Sequence, residues 1–396
     1  MTKRRSFDEV YPVKDHYQRF NQGNTAFLRA ERAGHRSYDD VTKKLERMRK
    51  EIPGFSLIDY AFRDGALTVA MASRSGRGII DSGFYSWSPL GVTSKPEDMP
   101  RWEAAPERAA RVMYKAGKYY GAADIGFCEL DKRWVYSHTA DGRLIVFEDV
   151  ERGYVTDEKA VIPKSHRWVI AITVPMEVEE MMYAPAALNP VSSMGYSRMP
   201  VVAGSLAEFI RGLGYNAIPC GNDTAISVPI AIQAGLGHVG RHGRLITWRD
   251  GPMVRIAKIF TDLPLATSPQ APGGIIEFCD VCHKCAKHCP SQSIPYGPRM
   301  YEGYSEANNP GVLKWYCNAD SCLEHWRESG SSCGICFRVC SFTKPESVLH
   351  DIVKWFIRNV PQLNRLWVWT DNLMGYGRMR NPRDYWEDSP EGVCLT

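Results

Sequence analysis

Apolar positions recur at helical spacing in some stretches of this chain and run as short strands in others. Residues 1–28 are polar and aromatic-rich and show no clean period. Residues 39–50 read as a charged helix stopped by Pro53-Gly54. Residues 73–99 are rich in Gly, Ser and Pro and read as loops and turns. After Pro106, the positions Ala109, Val112, Met113, Ala116 and Tyr120 share a helix face, and Gly121 ends the helix. Residues 134–147 read as a hairpin, with Trp134-Val135-Tyr136 and Leu144-Ile145-Val146-Phe147 as strands and Asp141-Gly142 as the turn.

From His166 strands and helices alternate. Residues 168–174 are a continuous apolar run, read as a buried strand. Leu206, Phe209, Ile210 and Leu213 line one face of a helix predicted over 201–213, with Gly214 as its stop. A strand over 215–220, a short helix over 225–235 and strands over 244–247 and 253–260 follow. This pattern predicts an α/β core, and residues 264–274 read as a linker. Val348, Ile352, Trp355 and Phe356 mark a last helix before an aromatic tail.

The chain has 396 residues, 44% hydrophobic and 24% charged, which excludes a disordered or collagen-like protein. A chain of this length buries roughly 75% of its unfolded surface, so it needs no disulfides to hold a core. A net charge of +4 is too weak to argue for nucleic acid. No run of about 18 apolar residues is present to predict a membrane span. The start Met1-Thr2-Lys3-Arg4-Arg5-Ser6-Phe7 has the two arginines of an export signal but not the apolar region that such a signal needs next.

Cysteine changes the picture. Nine of the 12 cysteines lie between Cys279 and Cys340. The first motif is Cys279-x2-Cys282-x2-Cys285-x3-Cys289-Pro290. Three thiolates at this spacing wrap one iron–sulfur cluster, and the fourth reaches the other cluster of a two-cluster ferredoxin. The second motif ends the same way, with Cys333, Cys336 and Cys340, and either Cys317 or Cys322 precedes it. Crossing the fourth ligands gives one [4Fe-4S] set of Cys279, Cys282, Cys285 and Cys340. The other set is Cys289, Cys333, Cys336 and one of the two earlier cysteines. Structural zinc has no use for three evenly spaced cysteines followed by a fourth. Position 341 is Ser, where such a repeat usually has Pro. The remaining cysteines, Cys128 and Cys220 among them, read as inert thiols, as does Cys394.

Ahead of the cysteines lies a glycine loop, Gly235-Leu236-Gly237-His238-Val239-Gly240, with Gly243 just beyond. It lets backbone approach a bulky or phosphate-bearing ligand. Its spacing matches a dinucleotide fingerprint, but it follows a helix and opens into a strand, the wrong context for one.

Taken together the chain resembles the respiratory reductive dehalogenases, corrinoid and iron–sulfur enzymes, in a form without the twin-arginine signal. The resemblance covers nearly the whole chain. It is most specific in Cys322-Leu323-Glu324-His325-Trp326-Arg327-Glu328-Ser329-Gly330 and in the run from Gly235 to Phe260-Thr261-Asp262-Leu263-Pro264-Leu265. It selects Cys322 over Cys317, because the ten-residue gap to Cys333 is the family's.

The implied fold is α+β. A nitroreductase-like cobalamin-binding domain spans 29–275, with an insertion near 125–165, after an extension over 1–28. A bacterial-ferredoxin-like domain spans 276–345, and 346–396 form a C-terminal helix and tail. The implied corrinoid is base-off with no protein ligand to cobalt; in agreement, Asp-x-His-x-x-Gly is absent and Leu236 precedes His238 by two.

The implied proton donor is Tyr196, with Asn222 and the basic Arg255 beside it and Lys258 as the fallback base. A free phenol titrates near 10, and a guanidinium nearby favours its ionised form. Gly235, Gly237, His238, Gly240 and Gly243 are the cofactor-binding candidates. Phe27, Trp87 and Trp102 are candidates for an apolar halocarbon pocket.

The resemblance also implies a small organohalide substrate, a small membrane anchor protein, a quinone-linked or low-potential electron donor and no nucleic acid. It places the protein on the outer face of the cytoplasmic membrane and allows a homodimer. Two other readings compete. An epoxyqueuosine reductase would use an aspartate as acid and a basic surface for tRNA. A pure electron carrier would not need so large an α/β domain.

Overall fold

The computed structural model describes residues 5–35, 41–74, 78–91 and 98–387. Short helices come first: α1 (Phe7–Val10), α2 (Ala26–Arg32), α3 (Val41–Arg49), α4 (Leu57–Ala66) and α5 (Thr68–Ala72). Ser6 and Ser56 start α1 and α4 through reciprocal caps with Glu9 and Asp59. Helix α6 (Pro106–Tyr119) opens on a proline whose missing N–H costs nothing at that position.

Strands β1 (Asp124–Glu129), β2 (Leu144–Glu148), β3 (Tyr154–Val155), β4 (Lys159–Pro163) and β5 (Trp168–Pro175) follow. Next come α7 (Val178–Met181), α8 (Val191–Gly212), β6 (Ala217–Cys220), α9 (Ser227–Gln233), β7 (His238–Val239), β8 (Leu245–Ile246) and β9 (Val254–Thr261). The cysteine-rich part holds α10 (Ile275–Cys282), α11 (Lys284–Lys287), α12 (Ala319–Ser329) and α13 (Ile335–Arg338). Helices α14 (Val348–Asn359) and α15 (Asn364–Leu373) end the described chain.

The central sheet runs β1-β5-β9-β6 and every neighbour is antiparallel. Both of its faces are covered, which is why β5 is apolar almost throughout. Ile170, Ile172 and Val174 join a core with residues of α6 and α8 such as Met113 and Leu206. Val169 and Ala171 join another with α9 residues such as Ile230. Burying each such aliphatic side chain contributes about 1.5–3 kcal/mol. The period of two has a chemical result on β9: Arg255 and Lys258, three apart, fall on opposite faces.

Three expectations change. The 134–147 hairpin does not form. Trp134 closes a 3-10 turn and Val135 bridges Ala225, while β2 pairs in parallel with β4 in a separate β2-β4-β3 sheet. Trp134 and Val135 are 2% and 0% exposed, so burial in the main core wins over local pairing. The helix predicted from 201 begins at Val191 and carries Pro200 inside it. The aromatic tail contains α15. Among the described residues no helix is long and apolar enough to cross a membrane.

Candidate active site and cluster-binding cysteines

Tyr196 stands on the second turn of α8, half-buried. Asn222 Nδ2 donates to its hydroxyl oxygen at 3.0 Å and Arg255 Nη1 at 3.4 Å. The Arg255 guanidinium also lies 4.3 Å from the centre of the Tyr196 ring. Gly195 makes this approach possible, since a Cβ there would sit 2.8 Å from Arg255 Cγ. Both partners donate, so neither uses the phenolic proton, which is left to point elsewhere.

Asn222 follows β6 in a turn that other side chains fix. Gly221 N–H donates to Asp223 Oδ1 at 2.7 Å, and Tyr136 donates to the Asn222 carbonyl at 3.2 Å. Lys258 donates to the Gly221 carbonyl and, at 3.1 Å, to Ser227 Oγ. The expectation that Lys258 substitutes for Arg255 beside Tyr196 is therefore corrected. Lys258 is on the other face of β9, fully buried, and burial lowers its affinity for a proton. It supports the turn that carries Asn222.

The glycine loop is also corrected. A Cβ on Gly235 would meet the Pro269 carbonyl at 2.2 Å, and one on Gly237 the Ile246 carbonyl at 2.1 Å. Gly240 packs on the Ile246 side chain. These three glycines admit the protein's own chain, not a ligand. His238 is held between Tyr11, whose hydroxyl is 3.1 Å from Nδ1, and the Pro272 carbonyl, 3.2 Å from Nε2. Gly243 differs: it faces Cys317, with 3.7 Å between that side chain and a Cβ placed on Gly243.

The loop's arginines, which the sequence reading passed over, carry more weight. Arg241, 2% exposed, donates to the carbonyls of Cys279, Pro295 and Gly297 at 3.0, 2.9 and 2.8 Å. It ties the β7–β8 turn to the cysteine segment. Arg244 lies among Cys317, Cys336, Cys322 and Tyr196, and these neighbours strengthen its hold on its proton against the cost of burial. Lys314 faces it; burial first, then Arg244, pull the Lys314 ammonium down to about 8. Among the described residues neither cation has a carboxylate at ion-pair distance. Two arginines within four residues of a glycine loop were the signal available in the sequence.

The cysteines fall into two groups. Cys279, Cys282, Cys285 and Cys340 line one cavity, with Phe278, His242 and Ser341 in its wall. Burial pushes the Cys279 thiol up to about 12, so thiolates held there call for a positive centre among them. In the second group, Cys336 has Cys333, Cys322 and Cys289 as its sulfur neighbours, and burial pushes its thiol up to about 12. The Cys317 thiol, as donor, holds Cys322 below the ordinary thiol range. Cys317 thus sits beside Cys322 at the edge of this set. Cys128 and Cys220 are buried and away from both groups, and Cys394 lies outside the described residues.

The aromatic pocket candidates do not converge. Trp87 is a core residue, 6% exposed, packed with Ile218. Trp102 donates its backbone N–H to Leu213 at 2.9 Å, at the far end of α8 from Tyr196. Along a helix that separation is about 25 Å. Phe27 is 49% exposed and stacks edge-on against Trp326 of α12.

Comparison with known proteins bears on what this geometry serves. Residues 140–265 match the family described as reductive dehalogenase subunit. Over 317 residues the chain is 37% identical to a tetrachloroethene reductive dehalogenase of Sulfurospirillum multivorans, covering 76% of this chain and 62% of that one. The chain is related to the reductive dehalogenases. The dehalogenase match contains Tyr196, Asn222 and Arg255 and stops before the cysteine-rich segment that begins at Cys279. The fold agrees: a solved reductive dehalogenase, presented as bearing on B12-dependent dehalogenation, superposes with a TM-score of 0.67 at 21% identity. That match covers 96% of this chain and 50% of the other. The chain thus spans about three-fifths of the length of the Sulfurospirillum multivorans dehalogenase, and half of the solved one. A stretch of 67 residues is 42% identical to an epoxyqueuosine reductase of Leadbetterella byssophila, but covers only 17% of this chain.

Proposed function

We propose that this chain is the catalytic part of a reductive dehalogenase that replaces halide by hydrogen on a small organohalide. The balance is one organohalide, two electrons and one proton in, and one halide and the product with hydrogen in place of that halogen out. The observation that carries this reading is Tyr196, with two donors on its oxygen and its proton uncommitted, in a chain related to dehalogenases. A bound corrinoid would supply carbon–halogen cleavage, and two [4Fe-4S] clusters would supply electrons one at a time. Tyr196 holds a proton at Oη and delivers it to the reacting carbon. Asn222 Nδ2–H and Arg255 Nη1–H stay on that oxygen and stabilise the negative charge that proton release leaves.

The residues fit the cofactors. Four cysteines around one cavity, three of them buried, suit one cluster, and the group around Cys336 suits the second, with Cys289, Cys322 and Cys333 as its other ligands. Arg244, between the second set and Tyr196, and Lys314 beside it have no carboxylate partner among the described residues and suit the polar periphery of a corrinoid. His238 is committed to Tyr11 and Pro272, and His242 stacks on Phe337, which supports a corrinoid without a histidine ligand to cobalt. In this reading residues 29–275 are the nitroreductase-like cobalamin domain, residues 276–345 the ferredoxin-like one.

The relative's name makes tetrachloroethene the substrate to test first. Val348, Ile352 and Trp355 on α14, with Leu366, Trp369 and Leu373 on α15, are exposed. They support a small membrane anchor as partner; a place on the outer face of the cytoplasmic membrane and a quinone-linked or low-potential donor complete the proposal.

The test uses anaerobic protein loaded with corrinoid, iron and sulfide. Chloride release from tetrachloroethene with reduced viologen is the expected activity. Tyr196→Phe should lower turnover by about 10²–10⁴-fold with corrinoid and iron content unchanged. Full activity in Tyr196→Phe overturns the proton-donor role. Failure of the chain to take up corrinoid overturns the reading, and reduction of an epoxyqueuosine-bearing tRNA in place of halide release would favour the other relative.

A further inference from the structure

Position 341 departs from the ferredoxin pattern, and the structure gives the serine there two neighbours. Ser341 Oγ lies 3.5 Å from Cys282 Sγ and 3.2 Å from Asp371 Oδ2. Asp371 is on α15, 8% exposed, and is already served by two cations. Lys344 Nζ is 2.7 Å from its Oδ1, and the Lys284 ammonium is against its Oδ2. Lys284 also donates to the Tyr376 carbonyl at 3.1 Å, and the Lys344 ammonium stands 3.7 Å from the Tyr376 ring centre.

A hydroxyl has one proton to give, and a ligating thiolate accepts only. Asp371 has its charge met by two ammonium groups, so the serine proton is worth more on the sulfur. We propose that Ser341 is a positioning residue for the first cysteine set: it donates its hydroxyl proton to Cys282 Sγ and raises the electron affinity of the cluster bound there. Hydrogen bonds to cluster sulfur stabilise the reduced, more negative state. Asp371 acts one step further out. It keeps Lys284 and Lys344 from repelling each other beside the cluster, and with both ammonium groups on it does not need the serine proton. A proline at 341 offers no hydroxyl, so this chain trades a stiffer turn for a tuned first cluster. The inference rests on the reading of Cys282 as a cluster ligand.

The experiment is a redox titration of the loaded full chain, followed by electron paramagnetic resonance, with wild type, Ser341→Ala, Ser341→Thr and Ser341→Pro. Iron and sulfide are counted in each. Ser341→Ala and Ser341→Pro should lower the midpoint of one cluster and leave the other in place, with iron content unchanged. Ser341→Thr, which keeps the hydroxyl, should keep the wild-type midpoint. Unchanged midpoints in Ser341→Ala and Ser341→Pro, at full iron content, overturn the hydrogen-bond proposal while the cofactor reading stands. A wild-type chain that holds less iron than two clusters need overturns both.

Discussion

Arg255 reaches Tyr196 because residue 195 has no side chain. With alanine there, Cβ would come within 2.8 Å of Arg255 Cγ and 3.3 Å of Met176 Cγ, so Arg255 must move. Gly195→Ala also improves helix propensity by about 1 kcal/mol, which offsets part of the strain. A charge-assisted hydrogen bond contributes about 1.5–3 kcal/mol, and each 1.36 kcal/mol in a barrier is about tenfold in rate. Gly195→Ala should therefore lower kcat/KM for dehalogenation by about 10–100-fold with a melting temperature near wild type. Activity and melting curves on the same preparation check this. Lys258→Met should do something different: it removes the donor to Gly221 and Ser227, so melting temperature should fall together with activity.

The β7–β8 pair is the element on which the glycine loop depends. Gly237→Ala would drive Cβ to 2.1 Å from the Ile246 carbonyl across the pair. Overpacking against backbone costs about 1–3 kcal/mol, and thermal melting of Gly237→Ala should show a loss of that order. The spacing of Gly235, Gly237 and Gly240 was legible, but spacing cannot tell whether a ligand or a carbonyl fills the room above a glycine. Elements with a clean period were readable: α6, α9, α14, β5 and β9 lie where the apolar pattern put them. The first ten residues of α8 were hidden behind Pro200, which reads as a boundary although α8 runs through it. Helix α1 is only four residues long, and the buried face of α4 mixes the charged Asp59 and Arg63 with Tyr60 and Ala66, so neither shows an apolar stripe. The trio of Tyr196, Asn222 and Arg255 was legible only through family resemblance, because three elements far apart in sequence bring it together. Asp371 was not legible at all, since its partners lie 87 and 27 positions earlier, at Lys284 and Lys344.

At the scale of the whole molecule, buried histidines are among the groups that respond to acid. His166 is 2% exposed, and neither ring nitrogen has a hydrogen-bond partner among the described residues. Burial pulls it down to about 4, against an ordinary 6.5. The unfolded chain binds this proton more readily than the folded one, so its stabilising effect is complete above pH 6.5 and is lost as pH falls towards 4. The full effect is about 3 kcal/mol. Melting temperatures from pH 7.5 to 4.5 should fall less steeply in His166→Leu than in wild type; parallel curves would refute the assignment. The buried Lys284–Asp371–Lys344 group also bears on how such a protein is inherited. A recombination event that moved residues 276–345 alone into another scaffold would carry two buried lysines away from the one carboxylate that reconciles them, and the Cys279 and Gly297 carbonyls away from Arg241. The cysteine segment is therefore not a cassette. Lineages that exchange it intact must exchange α15 with it and land beside an arginine, so its ancestry should track that of the α/β part in front of it.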